Sequence, residues 1–166
     1  MAEKNYILNK EVAEQKLQRM ALELAEHLDG DTAPVILIGI RNSGTVIAEK
    51  IASLLKLDVP NEIKVISVIM DKTHPVIVEL SEKIDLNNLH VVIADDVTNS
   101  GRTLLYALKP LLDFHPKSIQ TLVLVERMHK LFPVNPDYVG LSIATTMQEH
   151  IQVEVVNNEV TGAYVV

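Results

Sequence analysis

The sequence contains no cysteine among its 166 residues. Without thiols, the chain cannot form a disulfide framework, a thiolate metal site or a cysteine nucleophile. A chain without disulfides suits a reducing compartment, and the first residues do not show the basic segment and apolar stretch of a secretory signal. These features predict a cytoplasmic protein.

Long hydrophobic runs and an excess of positive charge are also missing. The longest apolar runs, 34–40 and 121–125, are far shorter than the roughly 20 residues that a membrane-spanning helix needs, so we expect no membrane partner. Fifteen Lys and Arg against 22 Asp and Glu give a formal charge of -7, which disfavours non-specific attraction to RNA or to anionic lipid. With 48% hydrophobic residues, the chain is predicted to form one globular domain over 1–166.

Apolar strands alternate with amphipathic helices along the chain. Apolar residues at helical spacing predict helices over 9–28, 46–55 and 104–112, the first capped by Asn9 and the last kinked at Pro110. Short apolar or β-branched runs predict strands at 35–40, 63–70, 76–80, 89–94, 119–125, 138–144, 151–156 and 160–166. Asn157 and Asn158 predict a turn between the last two strands.

This alternation is typical of an α/β fold with a mostly parallel sheet flanked by helices. We expect the strand pair over 63–80 and the C-terminal strands to form a small appendage of short strands. In such folds, ligands bind where the carboxyl ends of the strands meet. The polar segments that follow 35–40 and 89–94 occupy such positions.

The most informative segment runs from Val91 to Leu104. A strand delivers two adjacent carboxylates, Asp95 and Asp96, to the edge of the sheet, where they can accept hydrogen bonds from vicinal hydroxyls or ligate a hard cation. Residues 98–103 then supply hydroxyls, the conformational freedom of Gly101 and backbone N–H groups at the start of a helix, which can cradle a phosphate. The combination suits a ligand that carries both ribose hydroxyls and a 5′-phosphate.

This segment resembles the phosphoribosyl pyrophosphate (PRPP) signature of the type I phosphoribosyltransferases. Residues 35–44 resemble the family's pyrophosphate loop and 122–140 resemble its C-terminal half, so the likeness covers nearly the whole chain. Within the family, the nearest likeness is to the pyrimidine operon attenuation proteins that also act as uracil phosphoribosyltransferases. The resemblance implies the type I phosphoribosyltransferase fold, Mg²⁺ as cofactor, PRPP and a nucleobase as substrates, and a homodimer or larger homo-oligomer.

The resemblance also assigns roles to individual residues. Asp95 and Asp96 would hold the ribose hydroxyls and approach Mg²⁺ mostly through water and substrate oxygens, and together with Arg41 they would be the catalytic residues. The remaining PRPP-binding residues would be Thr98, Asn99, Ser100, Gly101, Arg102 and Thr103. The pyrophosphate would bind to Arg41, Asn42, Ser43 and Gly44, where the family often has a non-proline cis peptide. The nucleobase would contact Arg127, His129, Asn135, Tyr138 and Val139.

Departures from the family pattern bear on the choice of base and on closure over the substrate. Asn99 stands where the 6-oxopurine members carry an acidic residue, which favours a pyrimidine such as uracil over a purine. Only residues 71–75, in which Lys72 or His74 could reach pyrophosphate, separate the strands where the family has a longer flexible loop. Two other functions stay open: a purine phosphoribosyltransferase for hypoxanthine or guanine, and a PRPP- or nucleotide-binding regulator, including an RNA-binding attenuation protein, with weak or no catalysis.

Overall fold

The structure, a computed structural model that describes residues 3–71, 73–74 and 77–166, alternates strands with helices. In chain order the elements are β1 (Asn5–Asn9), α1 (Lys10–His27), β2 (Val35–Ile40), α2 (Arg41–Leu55), β3 (Ile63–Met70), β4 (Val78–Leu80), β5 (His90–Thr98), α3 (Arg102–Ala107), a 3₁₀ turn (Lys109–Leu111), β6 (Ser118–Arg127), β7 (Tyr138–Ile143), β8 (Ile151–Val156) and β9 (Glu159–Val165).

A six-stranded sheet with the order β4-β3-β2-β5-β6-β7 forms the centre of the molecule. Its strands run parallel except for β4, which pairs antiparallel with β3 at one edge. Every residue of β2 is buried, as expected of a strand covered on both faces. The α/β fold class is therefore confirmed. Residues 63–70, in contrast, do not belong to an appendage, because Ile66, Val68 and Met70 of β3 pack into the core of the central sheet.

Helices cover both faces of this sheet, as predicted. On one face, α1 and α2 pack Met20, Leu24 and Ile47 against the sheet. On the other, α3 contributes Leu104. The predicted kink in a long third helix is wrong: α3 ends at Ala107 and Pro110 lies in the separate 3₁₀ turn, because proline has no N–H to donate within a longer helix. Among the described residues, no helix has the length and apolar character needed to cross a bilayer.

A second, three-stranded antiparallel sheet has the order β1-β9-β8. Its hairpin turns at Asn157 and Asn158, whose φ angles of 51° and 59° are the left-handed values that two-residue hairpin turns require. The predicted turn is confirmed. The small sheet packs against α1 through Leu8 of β1 and Ala163 of β9, and it forms the appendage of short strands.

The carboxyl ends of β2, β3, β5, β6 and β7 all lie at one edge of the central sheet, because these five strands are parallel. The segments that follow them begin at Arg41, Asp71, Asn99, Met128 and Ala144. The fold thus collects at one edge several stretches that are distant in sequence, including the two that the sequence analysis singled out.

Candidate active site

Asp95 and Asp96 lie near the carboxyl end of β5, at the centre of the sheet. The side chain of Asp95 is buried and its Oδ1 accepts a hydrogen bond from the Asp96 N–H at 2.9 Å. Asp96 is half-buried and its Oδ1 accepts from the Val97 N–H at 2.8 Å. Local backbone donors therefore hold both carboxylates, and Asp96 is the more accessible of the two.

The start of α2 packs directly against this acid pair. A Cβ added at Gly44 would lie 2.8 Å from the Ala94 carbonyl oxygen and 3.1 Å from Asp95 Oδ1, which leaves no room for a larger residue. Glycine at this position therefore allows the helix backbone to approach β5. The structure thus brings the predicted pyrophosphate segment, residues 41–44, next to the acid pair.

The backbone turns sharply where β2 passes into α2. Arg41 has a φ of 37°, and Asn42 has the non-helical angles φ 3° and ψ −88°. A positive φ at a non-glycine residue is strained, and such strain is concentrated at functional sites. The cis peptide expected from the family is absent, because the peptide bonds among the described residues are trans. Arg41, Asn42 and Ser43 line an open pocket of about 780 Å³.

Asp71 and His74 line the same pocket. Asp71 Oδ1 accepts hydrogen bonds from the N–H groups of Thr73 at 2.8 Å and His74 at 3.3 Å. These bonds, with smaller contributions from the charges of His74 and Arg41, lower the pKa of the Asp71 carboxyl. The pocket therefore carries a carboxylate as well as the Arg41 guanidinium. Lys72, which the sequence analysis also considered, lies outside the described residues.

The loop between β5 and α3 forms a second, smaller pocket of about 260 Å³, lined by Asp95 and residues 97–103. Gly101 has a φ of 86°, the unusual angle for which the sequence analysis expected a glycine. Arg102 is half-buried and its Nη2 donates to the Thr73 carbonyl oxygen at 3.0 Å. All six predicted phosphate-binding residues, 98–103, line this pocket, which we call the cradle.

A third pocket, of about 360 Å³, shares Asn99 and Ser100 with the cradle. Its other lining residues are Arg127, His129, Leu131, Thr145 and Met147. Arg127 Nε and Thr145 Oγ1 are buried and have no hydrogen-bond partner within the part of the chain that the structure describes. We call this the side pocket. It places Arg127 and His129 beside the cradle.

The sequence analysis missed Leu131, Thr145 and Met147. Thr145 and Met147 follow the strand that was predicted to end at residue 144. The rule that sites lie after the carboxyl ends of parallel strands was therefore the signal that could have found them.

The structure does not bring the other three predicted base-binding residues to the side pocket. Tyr138 is buried in the core and donates its hydroxyl to Gln120 Oε1 at 2.7 Å, and burial raises the pKa of this phenol to about 12. Val139 follows it on β7 and packs against a core cluster, while Asn135 is exposed on the segment before β7. Tyr138 pairs with Leu122 at the start of β7. It therefore lies away from the edge of the sheet where the carboxyl ends of the strands and the side pocket are found.

Residues 5–158 match the sequence model of the phosphoribosyl transferase domain. The chain belongs to this family, as the motifs at residues 35–44 and 91–104 indicated. It is 36% identical over 158 residues to "Bifunctional protein PyrR" of Ligilactobacillus salivarius, which covers 88% of this chain and 87% of that protein. A protein of the same name from Macrococcus caseolyticus is 34% identical over 160 residues, which covers 91% of each chain.

Solved structures agree with the fold. The hypoxanthine phosphoribosyltransferase of Trypanosoma cruzi superimposes with a TM-score of 0.82 at 18% identity, covering 99% of this chain and 96% of that one. A hypoxanthine-guanine phosphoribosyltransferase from Bacillus anthracis gives a TM-score of 0.76 at 18% identity and covers 99% of both chains. The predicted type I phosphoribosyltransferase fold is confirmed, whereas identities this low carry no information about the substrate.

Proposed function

We propose that the protein transfers the 5-phosphoribosyl group from PRPP to a nucleobase, with a pyrimidine such as uracil favoured, and releases pyrophosphate. The observation that carries this proposal is that three pockets and the acid pair share one edge of the sheet. The Arg41 pocket would take the diphosphate, the acid pair the ribose, the cradle the 5′-phosphate and the side pocket the base, which are the four groups that the reaction must hold together.

The reaction is a substitution at the anomeric carbon of the ribose. The bond from this carbon to the pyrophosphate oxygen breaks, a bond to a ring nitrogen of the base forms, and the proton on that nitrogen is released. Positive charge develops on the sugar in the transition state, where the carboxylates of Asp95 and Asp96 would offset it. The guanidinium of Arg41 would neutralise the departing pyrophosphate, and no covalent nucleophile is required.

The residues present suit Mg²⁺ as a partner of the substrate. Asp96 Oδ1 is bonded to the Val97 N–H, and no described residue donates a hydrogen bond to Oδ2, so a carboxylate oxygen of the kind Mg²⁺ prefers is available. Among the described residues, no group of three or more His, Asp or Glu could hold a metal ion. Asp96, with Asp95 behind it, would therefore hold the ion largely through water and substrate oxygens. When bound, the ion neutralises the diphosphate.

The polar groups of the side pocket support a pyrimidine. Asn99, which is exposed at the junction with the cradle, carries no acid that could exchange a proton with a purine ring. Arg127 Nε can donate a hydrogen bond, and the Thr145 hydroxyl can donate or accept one. Uracil offers two carbonyl acceptors flanking an N–H donor, which is a complementary set for these two groups.

A second candidate function is a regulator that binds PRPP or a nucleotide with little turnover. The word "Bifunctional" in the name of the curated relatives, which indicates a second function, keeps this candidate open. The formal charge of -7 counts against RNA as the partner of a monomer. A homodimer, which we also propose, would serve either function.

A panel assay tests both candidates. The protein is incubated with PRPP, Mg²⁺ and one of uracil, hypoxanthine, guanine, adenine, xanthine or orotate, and nucleotide formation is followed by chromatography. We expect UMP from uracil. A purine nucleotide in its place would establish the purine alternative. If no base yields a product while calorimetry shows binding of PRPP or UMP, the regulator is supported, and if neither PRPP nor UMP binds, both candidates fail.

A further inference from the structure

An ion pair adjoins the residues that line the side pocket, at the carboxyl end of β6. Glu126 Oε2 accepts from Lys130 Nζ at 2.7 Å, and the side chains of the two residues are only 18% and 10% exposed. The other carboxylate oxygen, Glu126 Oε1, accepts from the Ser142 hydroxyl at 2.9 Å. A single carboxylate therefore joins β6, β7 and the segment that leaves β6.

The ion pair and the pocket use alternate residues of the same segment. Arg127, His129 and Leu131 line the side pocket, whereas Glu126 and Lys130 do not. Lys130 Nζ also donates to the carbonyl oxygen of Arg127 at 3.4 Å. The pair thus binds the backbone that carries the lining side chains, although neither of its residues lines the pocket.

The cradle is held by different contacts. Its Gly101 turn follows directly from β5, and the Asp96 and Val97 N–H groups are bonded to the acid pair. Backbone hydrogen bonds join it to the segment after β6, because the Ser100 carbonyl oxygen accepts from Leu131 N at 3.0 Å and from the next N–H at 3.1 Å. These bonds do not depend on the charges of Glu126 and Lys130.

We propose that Glu126 and Lys130 are a positioning pair, which holds residues 127–130 in the conformation that recognises the base of the bound nucleotide. The proposal rests on the proposed function, and it assigns the pair no contact with the ligand. Because each charge is largely removed from water, removing one partner alone would leave the other unsatisfied and strain the fold. Removing both charges together should free the segment and leave the cradle intact.

The test compares two ligands that differ only in the base. Ribose 5-phosphate would occupy the cradle and the acid pair, whereas UMP, or IMP if the panel assay favours a purine, would also fill the side pocket. In the double variant Glu126→Gln with Lys130→Met, we expect the Kd for the nucleotide, measured by calorimetry, to rise by about tenfold to 100-fold, by analogy with the loss of residues that orient the ligands of a metal site. The Kd for ribose 5-phosphate should stay within about twofold of wild type, because its contacts are untouched.

Two control variants sharpen the comparison. The single variant Lys130→Arg keeps a cation beside Glu126. Its nucleotide affinity should therefore stay within about threefold of wild type. Lys64→Met with Glu82→Gln removes a pair of the same length, 2.7 Å, whose side chains are 51% and 44% exposed, and it should change neither Kd.

Each contrary outcome has a distinct meaning. If the double variant loses both ligands equally, the pair has only a general structural role and the positioning proposal is wrong. Unchanged binding of both ligands overturns it as well. If the wild-type protein binds neither a nucleotide nor ribose 5-phosphate, the proposed function itself fails, and this inference fails with it.

Discussion

Replacing Asp96 by asparagine removes one charge from the acid pair and leaves the fold in place. Asp96 is half-buried, and its Oδ1 accepts a hydrogen bond from the Val97 N–H at 2.8 Å. The asparagine carbonyl oxygen can accept the same bond. We therefore expect the free energy of unfolding to stay within about 0.5 kcal/mol of wild type, as for other surface substitutions.

The loss of PRPP affinity follows from the change in charge. A hydrogen bond to a charged group contributes about 1.5–3 kcal/mol, against about 0.5–1.5 kcal/mol for a neutral pair. Since Asp96 would accept one ribose hydroxyl, the difference is about 1–2 kcal/mol, which raises the Kd for PRPP by about 5-fold to 30-fold. Weaker retention of Mg²⁺ would add to this loss.

Calorimetric titration with PRPP in the presence of Mg²⁺ measures this Kd, and urea denaturation measures the stability. Asp113→Asn is the matched control, because Asp113 is exposed and lines none of the three pockets. Wild-type PRPP affinity in Asp96→Asn would refute the assignment of the acid pair to the ribose. A large loss of stability would refute the inference that the residue serves the ligand and not the fold.

Three further predictions concern the turn, the first helix and acid stability. Gly101→Ala, at a φ of 86°, should cost about 1–2 kcal/mol in urea denaturation and weaken phosphate binding, because alanine is strained in the left-handed region. Asn9→Ala removes the bond from the Val12 N–H to Asn9 Oδ1 and should cost about 1 kcal/mol in the same assay, whereas Asn9→Ser should stay near wild type. The hydrogen bond from Lys117 is the chief cause that lowers the pKa of the Asp31 carboxyl from its usual value of 3.8. The ionised carboxylate therefore stabilises the fold above pH 3.8, and this contribution to the free energy of unfolding is lost as the pH falls below 3.8. Stability measured from pH 5 to pH 2.5 should therefore fall less steeply in Asp31→Asn.

The elements that local patterns specify were predicted well from the sequence. The short apolar run over 35–40 indicates a strand that is buried on both faces, and the structure has such a strand there. Asn9 is an N-cap residue by type, and its side chain accepts a hydrogen bond from the first helical turn. The polar segments after the strands at 35–40 and 89–94 were placed at the same edge because parallel strands leave no other arrangement. This is why the acid pair and the segment at Gly44 meet as expected.

The remaining features depend on contacts that no local pattern records. β1 has only five residues and gains its hydrogen bonds from β9, at the far end of the chain. Tyr138 has an amphipathic side chain that suits a ligand pocket as well as a core, and only its register against Leu122 decides between them. The Glu126–Lys130 pair has ordinary helical spacing, and its burial arises from the packing of β7 beside it.

The small sheet also constrains the order in which the chain can fold. Asn5 pairs with Val165, so β1 cannot acquire its partner until Val165 has also left the ribosome. Contacts between such distant segments form late, because a very long loop must close first. During synthesis Leu8, which packs into the core in the finished protein, therefore remains without its β9 neighbours. Substitutions in β9 should consequently lower the fraction of newly made chains that reach the native state. They should have less effect on the stability of the central sheet once it has formed.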